Sequence, residues 1–173
     1  HLMEKFAFII HPLSIHDMAH VSPVLKFIPD SWLESALKLK KPFQVSHITG
    51  IKSPYAEAEG WFIGCPLTSK QMVELPEEFV MDRIIESGKI AQELGAKVVG
   101  LGAFTSIVGD AGITVAKNLD IAVTSGNSYT VATALEGTRE AVRLMGKDLA
   151  TAHVTIVGAS GSIGAACTRI LAR

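Results

Sequence analysis

The feature that most narrows the folds open to this chain lies near its far end. His153, Val154, Thr155, Ile156 and Val157 form a short apolar, β-branched run that leads into Gly158, Ala159, Ser160, Gly161, Ser162, Ile163 and Gly164. The spacing G-x-x-G-x-x-G, with a strand pattern before it and a helical pattern after it, is a variant of the turn that binds dinucleotide pyrophosphates. Each glycine has a physical reason to be there. Gly158 lets the chain leave a strand sharply, Gly161 lets the backbone approach the pyrophosphate, and Gly164 lets the new helix pack tightly. The helix N-terminus then offers N–H groups and about half a positive charge to the phosphates. These seven residues are the expected cofactor-binding set, for NADP or NAD. The acidic residue that would read the ribose should lie about 20 residues further on, past Arg173, so the sequence does not separate the two cofactors. The rival reading is a tight strand-to-helix turn that binds nothing.

Upstream, strand and helix patterns alternate, which predicts an α/β fold with a mostly parallel sheet. An apolar run at 6–10 reads as a buried strand ended by His11 and Pro12, and Ser14 with Asp17 reads as a capping box opening a short helix stopped by Pro23. Ser31 and Glu34 suggest a second capping box, on a helix whose apolar positions are Trp32, Leu33, Leu37 and Leu39. Residues 43–51 and 58–65 read as two neighbouring strands separated by Ser53 and Pro54. The strongest helical spacing runs over 78–94, through Val80, Ile84, Ile85, Ile90 and Leu94, with Gly95 as its stop. Strands are then expected at 97–101, 120–124 and 152–157, and a long helix over 128–145 capped by Asn127. The expected organisation is an N-terminal α/β substrate domain over 1–150 and, over 151–173, the first β-α unit of a truncated Rossmann domain.

Composition excludes several classes. Apolar residues make up 48% and charged residues 19%, so the 173-residue chain can build a core and is not disordered. Sixteen basic residues against seventeen acidic ones give a formal net charge of −1, which predicts no nucleic-acid or anionic-membrane partner. Lys38, Lys40 and Lys41 form the one compact basic patch and read as a solvated helix end. No run approaches the ~20 apolar residues of a membrane span. No basic stretch with a small-residue cleavage site opens the chain, so a cytoplasmic setting is expected. His1 and Leu2 precede Met3, the expected initiator, and the chain is expected to be a fragment that by itself binds cofactor weakly or not at all.

Candidate chemistry sits where strands end. Cys65, in Ile63-Gly-Cys-Pro66, stands at the close of a predicted strand, as a reactive thiol or as packing. Thr105, with Phe104 and Ser106, follows another strand in a stretch where Gly100 and Gly102 would permit close approach to a ligand. Thr124, Ser125, Gly126 and Asn127 lie at a strand-to-helix junction, where open α/β sheets bind ligands. Asn127 suits either substrate binding or a helix cap. No metal site is expected: His16 and His20 are four apart, but no zinc pattern such as H-E-x-x-H is completed. His11 and the other histidines read as surface or capping residues, and His47 has no nameable partner.

Three motifs occur in order: Gly100-Leu-Gly-Ala-Phe-Thr-Ser-Ile107, Thr124-Ser-Gly-Asn-Ser-Tyr-Thr130, and Val154-Thr-Ile-Val-Gly-Ala-Ser-Gly-Ser-Ile-Gly164. Together they resemble the long-chain acyl-[acyl-carrier-protein] reductases and relatives described as predicted amino-acid dehydrogenases or shikimate-dehydrogenase-like proteins. The resemblance implies an NAD(P)H-dependent oxidoreductase that reduces a fatty acyl thioester, on acyl carrier protein or coenzyme A, to an aldehyde. It also implies that a cysteine beyond this chain takes the acyl group. The alternatives are a shikimate- or amino-acid-type dehydrogenase acting on a small polar substrate, and a non-catalytic module that docks a carrier protein. A homo-oligomer is compatible with every one of these readings.

Overall fold

In the computed structural model, which describes residues 3–15, 17 and 27–172, the apolar runs become one five-stranded sheet. Its strands are β1 (Glu4–Ile10), β2 (Phe43–Lys52), β3 (Glu57–Gly64), β4 (Val98–Leu101) and β5 (Ala122–Thr124), in the order β2-β3-β1-β4-β5. β1 runs parallel to β3 and β4, and β4 parallel to β5; only β2, at one edge, is antiparallel. This is an α/β fold with a mixed sheet. The expected pairing of 43–51 with 58–65 is realised as the antiparallel β2–β3 ladder, with register shifts between Gln44 and Ser46 and between Ile48 and Ile51.

The register aligns Ala7 with Trp61 and Val99, and Ile9 with Ile63 and Leu101, so these six side chains share one face. All six are buried, against Val80, Ile84 and Ala91 of the helix Glu77–Glu93. Three further helices surround that face or precede β2: α1 (Asp30–Leu39), α2 (Ser69–Glu74) and α4 (Ile113–Lys117). Helix α3 itself spans Glu77–Glu93, within a residue of the expected bounds, and Gly95 follows it at φ +87°. Burying a side chain such as Ile63 stabilises the fold by roughly 1.5–3 kcal/mol. On the opposite face Phe8 meets Phe62 edge to face at 6.4 Å.

Two local expectations are corrected. Helix α1 begins at Asp30 after Pro29 with no side-chain cap, so Ser31 and Glu34 form no capping box. Of its four apolar positions only Leu37 is buried, while Trp32 and Leu39 face solvent, because Leu33 and Leu37 lie one turn apart on the inner side. A capping box does form at Thr68 and Gln71, opening α2. Ser14 and Asp17 supply half of theirs, the Ser14 N–H donating to Asp17 Oδ2 at 2.8 Å. Pro23 and the end of that short helix lie outside the described residues.

The chain divides into two packed units between Ser125 and Gly126. The second unit contains α5 (Asn127–Leu144) and α6 (Ser162–Leu171), which pack through Val131, Leu135 and Cys167. Residues 152–156, expected as a strand, take no strand partner among the described residues. A strand exists only through its ladder, and this unit supplies no second one. Val157 is accordingly 96% exposed.

Candidate functional site

Open α/β sheets bind ligands beyond the carboxyl ends of their strands. In the first unit that edge is built by the residues after β1, β3 and β4, together with the start of antiparallel β2. A cavity of roughly 300 Å³ opens there, floored by Ile10, Leu37, Val45, Cys65 and Pro66. Its walls are almost wholly apolar. Among the described residues, three polar side chains join the lining: His11, Asp17 and Lys40.

His11 is held as a neutral ring. The Phe104 N–H donates to His11 Nε2 at 3.2 Å, so the ring hydrogen must sit on Nδ1, which donates to the Pro12 carbonyl at 3.0 Å. Burial pushes its pKa below the usual histidine value, against a smaller upward pull from that carbonyl. The ring also meets Phe104 edge to face at 6.0 Å. His11 therefore ties the end of β1 to the loop after β4. His16 and His20, the other histidines of that segment, lie outside the described residues.

Cys65 directly follows β3 and is fully buried. Desolvation pushes its thiol up to about 12, far outweighing the hydrogen bond from Ser87 that pulls it down. The thiol stays protonated and forms wall, not nucleophile. Thr105, also buried, donates its hydroxyl to the Gly102 carbonyl at 2.7 Å inside the short 3-10 turn Ala103–Ser106. Gly100 makes room for the Phe8 ring, and Gly102 for the Ile9 carbonyl and the edge of that ring, where their spacing suggests a ligand. A Cβ on Gly100 would sit 2.5 Å from Phe8 Cδ2, and one on Gly102 2.5 Å from the Ile9 carbonyl oxygen and 2.8 Å from Phe8 Cε1. A glycine pattern reports close approach without saying by what.

A larger cleft, of about 630 Å³, is lined by Glu77, Glu78, Asp82 and Asp110 with no basic residue. Asp110 is already committed: both carboxylate oxygens accept from the Thr114 N–H, and Oδ2 also accepts the Thr114 hydroxyl at 2.7 Å. Those bonds lower its pKa and satisfy the Thr114 N–H in the first turn of α4, whose cap is Gly112. His47, for which sequence names no partner, bonds Glu59 at 3.1 Å and stacks on Trp61 with centroids 5.2 Å apart. Lys5 pairs with Glu59 too, at 3.2 Å, and is the chief cause of that carboxyl's lowered pKa.

Thr124 closes β5, opposite Gly100 in the register. The cap of α5 is Gly126, at φ +72°, and not Asn127, which is the first helical residue. With the cap taken by a left-handed glycine, the Asn127 side chain is released for another bond. Its Nδ2 donates to Ser162 Oγ at 2.9 Å, which joins two motifs 35 residues apart.

That bond lands on the glycine turn. Gly158 adopts φ +79°, a conformation that side-chain-bearing residues avoid. Gly161 caps α6 without a side-chain bond, and its N–H donates to the Gly158 carbonyl at 3.0 Å. A Cβ on Gly164 would collide with that same carbonyl. So Gly158 and Gly164 fold the turn on itself, while Gly161 has only an ordinary 3.4 Å contact to lose. Ala159, Ser160, Ser162 and Ile163 complete the loop ahead of the helix N-terminus. Sequence reasoning does not reach Asp17, Lys40 and Phe43 as lining residues of one cavity, because their meeting depends on the α1-to-β2 connection folding over the ends of β1 and β3. Among the described residues no helix is long and apolar enough to cross a membrane.

No known protein-family profile matches the chain. It is 29% identical over 179 residues to the aminotransferase PigE of Serratia sp. (strain ATCC 39006), a match that covers 96% of this chain and 20% of that protein. The chain thus spans about a fifth of that relative's length. Amino transfer is a different class of chemistry from thioester reduction. The similarity overturns the resemblance to acyl-[acyl-carrier-protein] reductases, and with it the expected NAD(P)H-dependent oxidoreductase and its dehydrogenase and docking-module alternatives.

Proposed function

We propose that this chain is a cofactor-binding part of a larger enzyme, which grips the phosphate of a nucleotide through the 158–164 turn and leaves amino transfer to residues outside it. The observation that carries this reading is the self-folded glycine turn at an α6 N-terminus that has no side-chain cap. Such a terminus offers N–H groups and a positive partial charge to an anion. Asn127 holds the Ser162 hydroxyl at its rim. NADP and NAD are the expected ligands, from the glycine spacing. That the whole polypeptide is an enzyme is supported by its likeness to an aminotransferase.

Amino transfer itself needs pyridoxal phosphate, which a site holds through a lysine that bonds its aldehyde and an acidic or basic partner for the ring nitrogen. The described lysines do not fit that group. All reach the surface, several engaged with carboxylates, such as Lys52 with Glu57 and Lys70 with Glu34. A lysine that bonds the aldehyde needs a pocket closed to water around it, and Lys40, which lines the apolar cavity, is itself solvent-facing.

The test is calorimetric titration of the chain with NADPH, NADH and pyridoxal phosphate, repeated on Gly161→Ala. That variant keeps the turn's geometry but places a methyl group where the phosphate would lie. Saturable nucleotide binding that the variant weakens supports the reading. Binding of pyridoxal phosphate alone, or nucleotide binding indifferent to the methyl group, overturns it.

A further inference from the structure

The apolar cavity of the first unit is a separate matter from the glycine turn and has chemistry of its own. Its floor is hydrocarbon and buried thiol, and its histidine has both ring nitrogens committed to backbone groups. Among the described residues, the ionised side chains on its lining are one carboxylate and one ammonium, Asp17 and Lys40, both solvent-facing. Lys40 Nζ is held 3.8 Å over the ring of Phe43, itself part of the wall. Asp17 is anchored by the Ser14 N–H. No ion pair joins the two among the described residues. From this arrangement we propose that the cavity binds a free α-amino acid with an apolar side chain, the side chain filling the well, the carboxylate facing Lys40 and the ammonium facing Asp17.

Charge decides between this ligand and its simpler relatives. A carboxylic acid would satisfy Lys40 but bring its anion toward Asp17, and an amine would do the reverse. Only a ligand with both charges beside one apolar body matches both groups. A cavity of roughly 300 Å³ is at the small end of ligand sites, suited to a single side chain and not to an extended chain. The proposal does not depend on phosphate binding in the second unit, and the two can fail separately.

The experiment is a titration of the intact chain, followed by amide NMR shifts, with norleucine, hexanoate, hexylamine and glycine as four separate probes. Norleucine should bind saturably and displace the resonances of Val45 and Gly64, with the other three weaker. The surface substitutions Lys40→Gln and Asp17→Asn should each weaken norleucine binding about tenfold, the scale of losing one charge-assisted hydrogen bond. Val45→Trp, at a half-exposed wall position, should abolish it while leaving the spectrum folded. The proposal is overturned if norleucine gives no saturable shift, if hexanoate or hexylamine binds as tightly, or if both charge substitutions leave its affinity unchanged.

Discussion

Burial holds the Cys65 thiol protonated, with its pKa pushed up to about 12. The thiolate is the reactive species, so Cys65 should resist a thiol reagent at pH 8 in the folded chain and react only after denaturation. Labelling in the native state at the rate of a free thiol would show that the site is more open than its packing. His11 makes a second prediction at this scale. Its pKa is lowered in the folded chain, so the unfolded chain takes up the proton first as pH falls. The stability tied to the neutral ring is therefore present above about pH 6.5 and lost as pH drops through the lowered native value. Protonated Nε2 can no longer accept the Phe104 N–H. The Phe104 amide shift should titrate together with the His11 ring, and a Phe104 amide indifferent to that titration would sink the assignment.

Helix glycines that look alike in sequence separate once their surroundings are known. Gly137 lies inside α5 with nothing near an added Cβ, so Gly137→Ala should stabilise the chain by about 0.5–1 kcal/mol, from the helix-propensity difference alone. Gly164 stands in the first turn of α6, where an added Cβ strikes the Gly158 carbonyl. Backbone cannot yield as a side chain can, and Gly164→Ala should destabilise by about 1–3 kcal/mol. Urea melts of the two variants should move in opposite directions; parallel shifts would refute the turn geometry. Helix α3 was legible because its apolar positions fall at helical spacing over seventeen residues. Helix α1 was less so, because Trp32 and Leu39 are apolar but face outward, and periodicity cannot say which of two apolar stripes the core will take.

Over the whole molecule, stability is unevenly shared. The first unit has a core of fifteen buried residues from Ala7 to Val115, all within itself. Among the described residues the second buries only Val131, Leu135 and Cys167. A fragment of residues 3–125 should therefore melt cooperatively, and one of 126–172 alone should not, since so short a chain buries too little surface to offset its ordering entropy. A cooperative melt of the short fragment would contradict that division.

By itself the sequence determined the local features: where apolar runs become β1 to β5, where α3 and α5 lie, and that a glycine turn opens α6. These follow from periodicity and from backbone freedom, which neighbouring residues fix. Tertiary structure alone decided what those features touch. It gave Gly100 to the Phe8 ring and Gly102 to that ring and the Ile9 carbonyl, left residues 152–156 without a ladder, sealed Cys65 from water and turned Asn127 from a cap into a partner of Ser162. It also brought Asp17 and Lys40 to the lining of one cavity. The physical reason is common to all five. Hydrogen bonds, burial and charge act between groups distant along the chain, and a linear pattern specifies that a residue is suited to contact without naming the contact.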